Sequence, residues 1–461
     1  MRSNKPTPGE ILIIGGGVFG ISTAVALLER PRFSNTRITI VDASSELPNQ
    51  SAASWDTSRM LRADYAEKAY TKLVSEARQQ WTILDSNAWG GESRYCEAPL
   101  LLTAQPGVLG HVDGYLEESL TNLKKLAETR EFAFTPEDIE ELGDKDALKR
   151  ASGPIPGASG NSGYINRNCG WVDARKCLHF LYQKLKQAAK GRCEIHRSTT
   201  VRKLLYDGLA GFTINQARCI GAELMNGSHI QADLTILAAG AWSPSLVDMG
   251  PRAVATGQTL GYLALTEEEQ SSVNNMPIYF NMSTGMFMFP AHTRELKLGR
   301  HGFGYQNPTP VILEGKRKLV STPISHLPVP TEAEDALKEF LVELFPHWRH
   351  KEFSKTKLCW YCDTPSGDFL IDYHPEYEGL FLATGDSGHG VKVLPVIGQK
   401  IADSIEGKLD HTLQELWRWK EDIPSVFQGT SDGTRGGRRG MVFQEEWQRV
   451  RDPTGVARER L

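Results

Sequence analysis

The apolar positions of the chain follow two periods. Ile11-Leu-Ile-Ile14 is an unbroken apolar run of strand length, as in a strand buried on both faces. Gly15, Gly16, Gly17 and Gly20 interrupt it, and Ile21–Arg30, rich in Ala and Leu, predicts a helix. A second strand, Arg37-Ile-Thr-Ile-Val41, ends at Asp42. The stretch from Ile11 to Leu28 carries no charge and follows Arg2 and Lys5, as a signal peptide or membrane span would. Its glycines weaken any continuous helix, however, so it reads as strand, turn and buried helix. Helical spacing returns over Gly114–Ala127 and Ala174–Ala189. Strands are predicted at 234–239 and over Gly285–Phe289 and Glu295–Leu298, and the segment around Thr199–Leu205 belongs to the returning nucleotide-binding part. Thr331 and Glu334 fit a capping box ahead of Leu337, Phe340, Leu341 and Leu344 at helical spacing.

The first turn carries chemistry. Gly15-Gly-Gly-Val-Phe-Gly20 is G-x-G-x-x-G between a strand and a helix, and Asp42 follows Gly20 by 22 residues at the end of the next strand. Gly15 permits the sharp turn, Gly17 lets a pyrophosphate approach the backbone, and Gly20 lets helix and strand pack closely. The helix N-terminus offers free N–H groups to phosphate, and Asp42 can accept from ribose hydroxyls. The motif alone does not separate FAD from NAD. A later apolar strand breaks into Ala238-Ala-Gly-Ala-Trp242, as when later segments complete the sheet of a two-dinucleotide-binding flavoprotein, and this favours FAD.

The 461 residues suggest two or three folding units at about 150 residues each. The expected fold is mixed α/β: a Rossmann-like FAD domain from 1–90, 155–250 and 356–410, a substrate domain with an antiparallel sheet from 91–154 and 251–355, and a wrapping tail over 411–461 with Trp417, Trp419 and Trp447. A net charge of −4 supplies no overall field for nucleic acid or an anionic membrane. Gly433-Thr-Arg-Gly-Gly-Arg-Arg-Gly440 is basic and glycine-rich and reads as a solvated loop. Seven scattered cysteines do not form a secreted disulfide framework. Cys359 and Cys362 make a C-x-x-C without a second ligand pair, so no metal is expected.

The most specific stretch is Cys359-Trp-Tyr-Cys-Asp-Thr-Pro365, then Phe369-Leu-Ile-Asp-Tyr-His-Pro375, then Gly385-Asp-Ser-Gly-His-Gly-Val-Lys392. Here the chain resembles the monomeric sarcosine oxidase family of FAD-linked amine oxidases. It is most similar to the fungal branch with amadoriases and saccharopine or pipecolate oxidases. The resemblance implies FAD attached covalently as 8α-S-cysteinyl FAD through Cys359, with Cys362 a rival that the spacing disfavours; a buried free thiol is the plain alternative. It also implies that Val18, Phe19, Ser51, Val201, Ala239, Gly240, Asp386, Gly388, His389, Gly390 and Lys392 meet the cofactor.

The resemblance further implies that Lys392 binds a substrate carboxylate together with an arginine from Asp56-Thr-Ser-Arg-Met-Leu-Arg62, a segment one residue longer than the family's at the serine. Arg62 is the candidate for the carboxylate and Arg59 for a place near the flavin; a surface ion pair is the plain alternative for both. A guanidinium grips a carboxylate through two parallel hydrogen bonds. Amadoriases resemble Val-Asn-Lys at this point, so the two arginines favour an N-methyl amino acid, pipecolate or saccharopine over a sugar adduct. Lys297, in Glu295-Leu-Lys-Leu-Gly-Arg-His301, matches a family lysine on the oxygen side of the flavin. One charge at about 4 Å and an effective dielectric near 20 contributes about 4 kcal/mol to a developing anion, about a thousandfold in rate. His301 matches a family histidine near the substrate, Tyr361 can line the pocket, and His389 can simply shape its turn.

The expected activity is oxidation of a secondary amine to an imine with release of H2O2. No acid–base dyad is required, because a pocket that favours the uncharged amine performs that work. The alternatives within the class are a fructosyl amino acid oxidase and a biosynthetic oxidase of an N-methylated aromatic amino acid. Outside it stand an NAD-linked dehydrogenase and a flavoprotein without turnover. The expected partners are the amine and O2, for a monomer without nucleic acid or membrane. The C-terminal Glu459-Arg-Leu461 matches two of three positions of a peroxisomal address, so the expected location is cytoplasmic or peroxisomal.

Overall fold

The computed structural model describes residues 6–105, 112–129, 132, 134–207, 217–324, 327–451 and 457–459. Its first layer is a six-stranded sheet in the order Leu370–Tyr373, Leu380–Thr384, Leu234–Leu237, Glu10–Ile14, Arg37–Val41, Cys193–His196. All neighbours are parallel except the first pair. The apolar run at 11–14 accounts for the central place of its strand. Ile11 and Ile13 enter one core with the helix Val18–Glu29. Leu12 and Ile14 enter another with the ribbon Val201–Asp207, Arg218–Leu224 and His229–Gln231. Side chains alternate between faces, so a strand can be apolar throughout only if both faces are covered.

The first helix starts at Val18, earlier than the expected Ile21, because Gly17 is its N-cap. Gly15 has φ +112°, and a Cβ on Gly20 would lie 2.0 Å from the Gly15 carbonyl oxygen. Both glycines are therefore required by the backbone itself. The helices Ala174–Ala189 and Leu394–Glu406 pack beside this one.

The second layer is a ten-stranded sheet. Its long strand Val254–Ala264 pairs antiparallel with Glu295–Arg300 on one side and Lys355–Asp363 on the other. The helix Thr331–Leu344 covers it, setting Leu337, Phe340, Leu341 and Leu344 against Leu263, Leu296 and Leu298. Two strands expected with the nucleotide-binding segments pair into this sheet instead: Ser162–Asn166 beside Leu100–Ala104, and Lys355–Asp363. Alternation identifies a strand but not the edge that will receive it. The tail is anchored to both layers. Trp417 is buried and donates to the Tyr70 hydroxyl at 2.9 Å, and Met441–Val442 extends the second sheet.

The capping box expected at Thr331 and Glu334 does not form. Pro330 is the N-cap, Thr331 is already helical, and the Pro330 carbonyl accepts from the Ala333 and Glu334 amides. Glu332 reaches out to Arg300 at 2.6 Å. A capping box does form at Thr266 and Glu269, ahead of Glu267–Ser272. Among the described residues no helix is long and apolar enough to cross a membrane. Arg460 and Leu461, the end of the peroxisome-like address, lie outside the described residues.

Gly20→Ala is expected to destabilise the protein by about 1–3 kcal/mol, the usual cost of overpacking. Gly114→Ala, where a Cβ meets no atom, is expected to be neutral or stabilising by about 0.5–1 kcal/mol. Denaturation midpoints of the two variants compare them directly.

Candidate active site

A cavity of about 480 Å³ opens beside the glycine turn. Its lining includes Gly15, Gly17, Val18 and Phe19 from the turn and helix, Asp42 and Ser51 from the strand end and loop, and Val201, Ala239 and Gly240. It also includes Arg59, Tyr361, Asp386, Gly388 and Gly390. Gly20 packs behind the turn and does not line it. No side chain caps the helix Val18–Glu29, and its first turn holds no acid, so its N–H groups remain available to an anion. A Cβ on Gly17 would meet no protein atom within 4 Å, so space lies directly over the backbone. The Asp42 carboxylate accepts from the Gly16 amide at 2.8 Å, the Ser44 amide at 2.8 Å and Asn49 Nδ2 at 3.2 Å. It thus closes the turn while facing the cavity. The bare helix end and the acid fit the phosphates and ribose of a dinucleotide.

Cys359 is a free, buried thiol on the strand Lys355–Asp363. Its Sγ lies 3.6 Å from the Ala53 carbonyl oxygen and 3.5 Å from Arg59 Nη2, and both residues line the cavity. Cys362 points to the opposite face, three residues along the strand. Its sulfur accepts from Thr384 Oγ1 at 3.3 Å, and burial pushes the thiol up to about 12.

A second cavity, of about 60 Å³, adjoins the first through Arg59, Tyr361, Gly388 and Val391. Arg62, Lys297, His301, Tyr361 and Lys392 all line it, together with His389, Phe280, Phe287 and Phe289. Five residues from four separate stretches of chain therefore meet in one small space.

The basic side chains fall into two kinds. Lys297 and Arg59 share Asp56: Lys297 Nζ is 2.8 Å from its carboxylate, Arg59 pairs with it as well, and the Tyr262 hydroxyl donates to it at 2.7 Å. Burial pushes the Asp56 carboxyl up, but Arg59 and Lys297 outweigh this and hold it well below the usual range. Lys297 also donates to the Ser58 carbonyl at 2.7 Å. Burial pulls its ammonium down and Asp56 offsets this only in part, so Lys297 titrates at about 7.

Arg62 and Lys392 are different. Arg62 bonds to the Asp64 carbonyl and the Tyr115 hydroxyl, with the Tyr65 ring 5.1 Å and the Phe280 ring 5.7 Å from its carbon. Lys392 Nζ donates to the Tyr65 hydroxyl at 2.9 Å. Among the described residues neither forms an ion pair.

The basic segment 433–440, expected to be a solvated loop, contributes a buried residue to this site. Arg435 is 1% exposed and donates to Asp363 at 2.5 Å, to the Ser387 carbonyl at 2.9 Å and to His301 Nδ1 at 3.0 Å. A guanidinium only donates, so Nδ1 of His301 holds the lone pair and the ring proton sits on Nε2. Burial first, then Arg435 and Lys392, push the His301 imidazolium well below its ordinary range. Asp363 stands inside the Cys359–Pro365 stretch, Arg435 inside the glycine-rich basic segment, and Phe287 and Phe289 inside a predicted strand, but no pattern marks any of them as a site residue. Tyr65 lies three residues beyond Arg62, and Phe280 carries no pattern.

The FAD dependent oxidoreductase family matches residues 10–404. The chain is 31% identical to the amino acid oxidase imqH of Aspergillus flavus, over 90% of this chain and 98% of that protein. It is 29% identical to L-saccharopine oxidase of Schizosaccharomyces pombe, over 89% and 93% respectively. In three dimensions it resembles the deglycating fructosamine oxidase of Aspergillus fumigatus (amadoriase II), with a TM-score of 0.78, 27% identity, and coverage of 95% of this chain and 96% of that one. Every residue lining the two cavities lies inside the matched span. The chain belongs to the FAD-dependent oxidoreductase family, and FAD is the dinucleotide its glycine turn serves.

Proposed function

We propose that this protein oxidises secondary amino acids, with N-methyl and cyclic amino acids and saccharopine as the substrate class. The products are an imine and H2O2. The observation that carries this reading is the meeting of Arg62, buried, and Lys392, half-buried, neither with a carboxylate ion-pair partner among the described residues, in an aromatic-lined pocket that adjoins the cofactor cavity. A substrate carboxylate supplies the missing charge and is gripped by both side chains. Its anchorage sets the carbon beside the amine toward the wall shared with the cofactor cavity. Phe280, Phe287 and Phe289 surround the rest of the molecule and exclude water. When bound, FAD accepts the electron pair of the C–N oxidation and passes it to O2. Lys297, fixed by Asp56 and Ser58, provides a positive charge for the anion that develops on oxygen. His301, with its proton on Nε2, offers a donor to the same pocket.

Cys359 is the residue we assign to covalent attachment of the flavin, as an 8α-S-cysteinyl link. Its free thiol beside Ala53 and Arg59 supports this over Cys362, whose sulfur is engaged by Thr384 in the core. The likeness to a fructosamine oxidase supports a second reading, oxidation of fructosyl amino acids. Against it stands the share of the lining that three phenylalanines occupy, which offers a sugar no hydrogen-bond partner.

A peroxide assay over N-methyl amino acids, pipecolate, saccharopine and fructosyl-valine tests the reading; peroxide from fructosyl-valine alone overturns it. Acid-precipitated protein is expected to keep its yellow colour, and Cys359→Ala to lose it to the supernatant. Lys297→Met is expected to slow the oxygen half-reaction about a thousandfold in stopped flow. In the wild type Lys297 is charged below its titration point and neutral above it. That step should therefore be fast in acid and fall as pH rises through about 7.

A further inference from the structure

A hydrogen-bonded chain of fixed direction runs away from Lys392. The Tyr65 hydroxyl, which receives from Lys392, also lies 3.0 Å from His389 Nδ1, and His389 Nε2 lies 2.8 Å from the Gly367 carbonyl oxygen. A carbonyl only accepts, so the His389 ring proton sits on Nε2 and Nδ1 must accept from Tyr65. Burial and the neighbouring Lys392 hold His389 neutral, well below its usual titration range. Tyr65 has a single proton and gives it to His389, so its oxygen takes one N–H from Lys392. The rest of the Lys392 amine is left to face the pocket.

The surroundings of that amine discourage a second positive charge. Arg62 lies on one side, and Arg435 adds to its effect from the C-terminal segment. Asp64 and Asp432 oppose them, but neither forms an ion pair with Lys392. His301 and His389 are both neutral. Burial, and then Arg62, push Lys392 well below the usual lysine range. An amino acid substrate arrives with the opposite problem. Its amine is an ammonium, and the lone pair that must be free for oxidation is held by a proton.

We propose that Lys392 is the acceptor of the substrate's ammonium proton, held in place for that task by Tyr65 and His389. One N–H bond of the substrate ammonium breaks and one N–H bond forms at Nζ; no electrons change hands. The substrate becomes an amino carboxylate with a free lone pair, and Lys392 becomes an ammonium beside the carboxylate and Arg62. The same clamp that holds the substrate thus prepares it. This rests on the carboxylate-clamp reading above and gives one of its two members a second role.

Proton counting by calorimetry of the holoenzyme, in buffers of different ionisation enthalpy, tests it. Cyclohexanecarboxylate, which has no nitrogen, is expected to draw one proton from buffer on binding. Its affinity should fall about tenfold per pH unit over the range in which Lys392 is neutral when free and charged when bound. 2-Aminoisobutyrate, a zwitterion with no oxidisable C–H next to nitrogen, brings its own proton and is expected to draw none. Lys392→Arg, with a permanent charge, should bind cyclohexanecarboxylate with no uptake, and Lys392→Met should bind it weakly with no uptake. Tyr65→Phe removes an acceptor from the charged lysine and should move the upper bend of the affinity–pH curve to lower pH. A wild type that binds cyclohexanecarboxylate without proton uptake overturns the inference and leaves the clamp intact, as does uptake that survives in Lys392→Met. An unmoved bend in Tyr65→Phe removes Tyr65 from its positioning role. Failure of the wild type to bind the carboxylate at all overturns the clamp itself.

Discussion

Arg62 is a buried, permanent cation in an aromatic-lined pocket, and no carboxylate of the described chain pairs with it. Removing an ion from water costs several kcal/mol even after the protein relaxes. The fold offsets part of this with the Asp64 carbonyl, the Tyr115 hydroxyl and the faces of Tyr65, Phe280 and Tyr115. Asp64 is itself buried, and Tyr164 and Asn166 hold its carboxylate at 2.9 and 3.2 Å, so the backbone that meets Arg62 stays in place. The Asp64 carboxylate offsets part of the charge through space without forming an ion pair, and in the proposed reading a substrate carboxylate adds to it.

The contrast with Asp56 explains how four basic side chains can share one pocket. Arg59 and Lys297 stand on the side shared with the cofactor cavity or near it, and one buried carboxylate neutralises them in part. Arg62 and Lys392 have no such acid. The positive field is therefore not uniform: Asp56 damps it at Arg59 and Lys297, and among the described residues no ion pair damps it at Arg62. Tyr262, which bonds to Asp56, belongs to the long strand of the second sheet, whereas Asp56 lies in the loop that follows the first nucleotide-binding strands. This contact ties the two layers together at the point where their cavities meet.

The C-terminal segment shows the same economy. Arg435 lies beyond the span matched by the family, yet it neutralises Asp363 on the strand that carries Cys359 and sets the tautomer of His301. Thr256 completes the group by donating to Asp363 at 2.5 Å. A chain that ended with the helix Leu394–Glu406 would leave Asp363 as a buried carboxylate with no countercharge.

The sequence by itself determined the dinucleotide fold, because its signals are local. An apolar strand, a glycine turn, a helix and an acid lie within about thirty residues, and each is constrained by its own neighbours. Cys359, Arg62, Lys297, His301, Tyr361 and Lys392 were legible through short motifs, and all of them stand at or beside the two adjoining cavities. The tertiary structure alone decided which charges are paired. Asp56 serves Lys297 from 241 positions away, a separation read from their numbers, and no periodicity encodes that. It also decided that Lys355–Asp363 joins the second sheet, that Thr331 is not a cap, and that Arg435 is buried though its surroundings read as a solvated loop. Pattern records how often a residue faces inward. Partners depend on which surfaces the fold brings together, and that is a property of the whole chain.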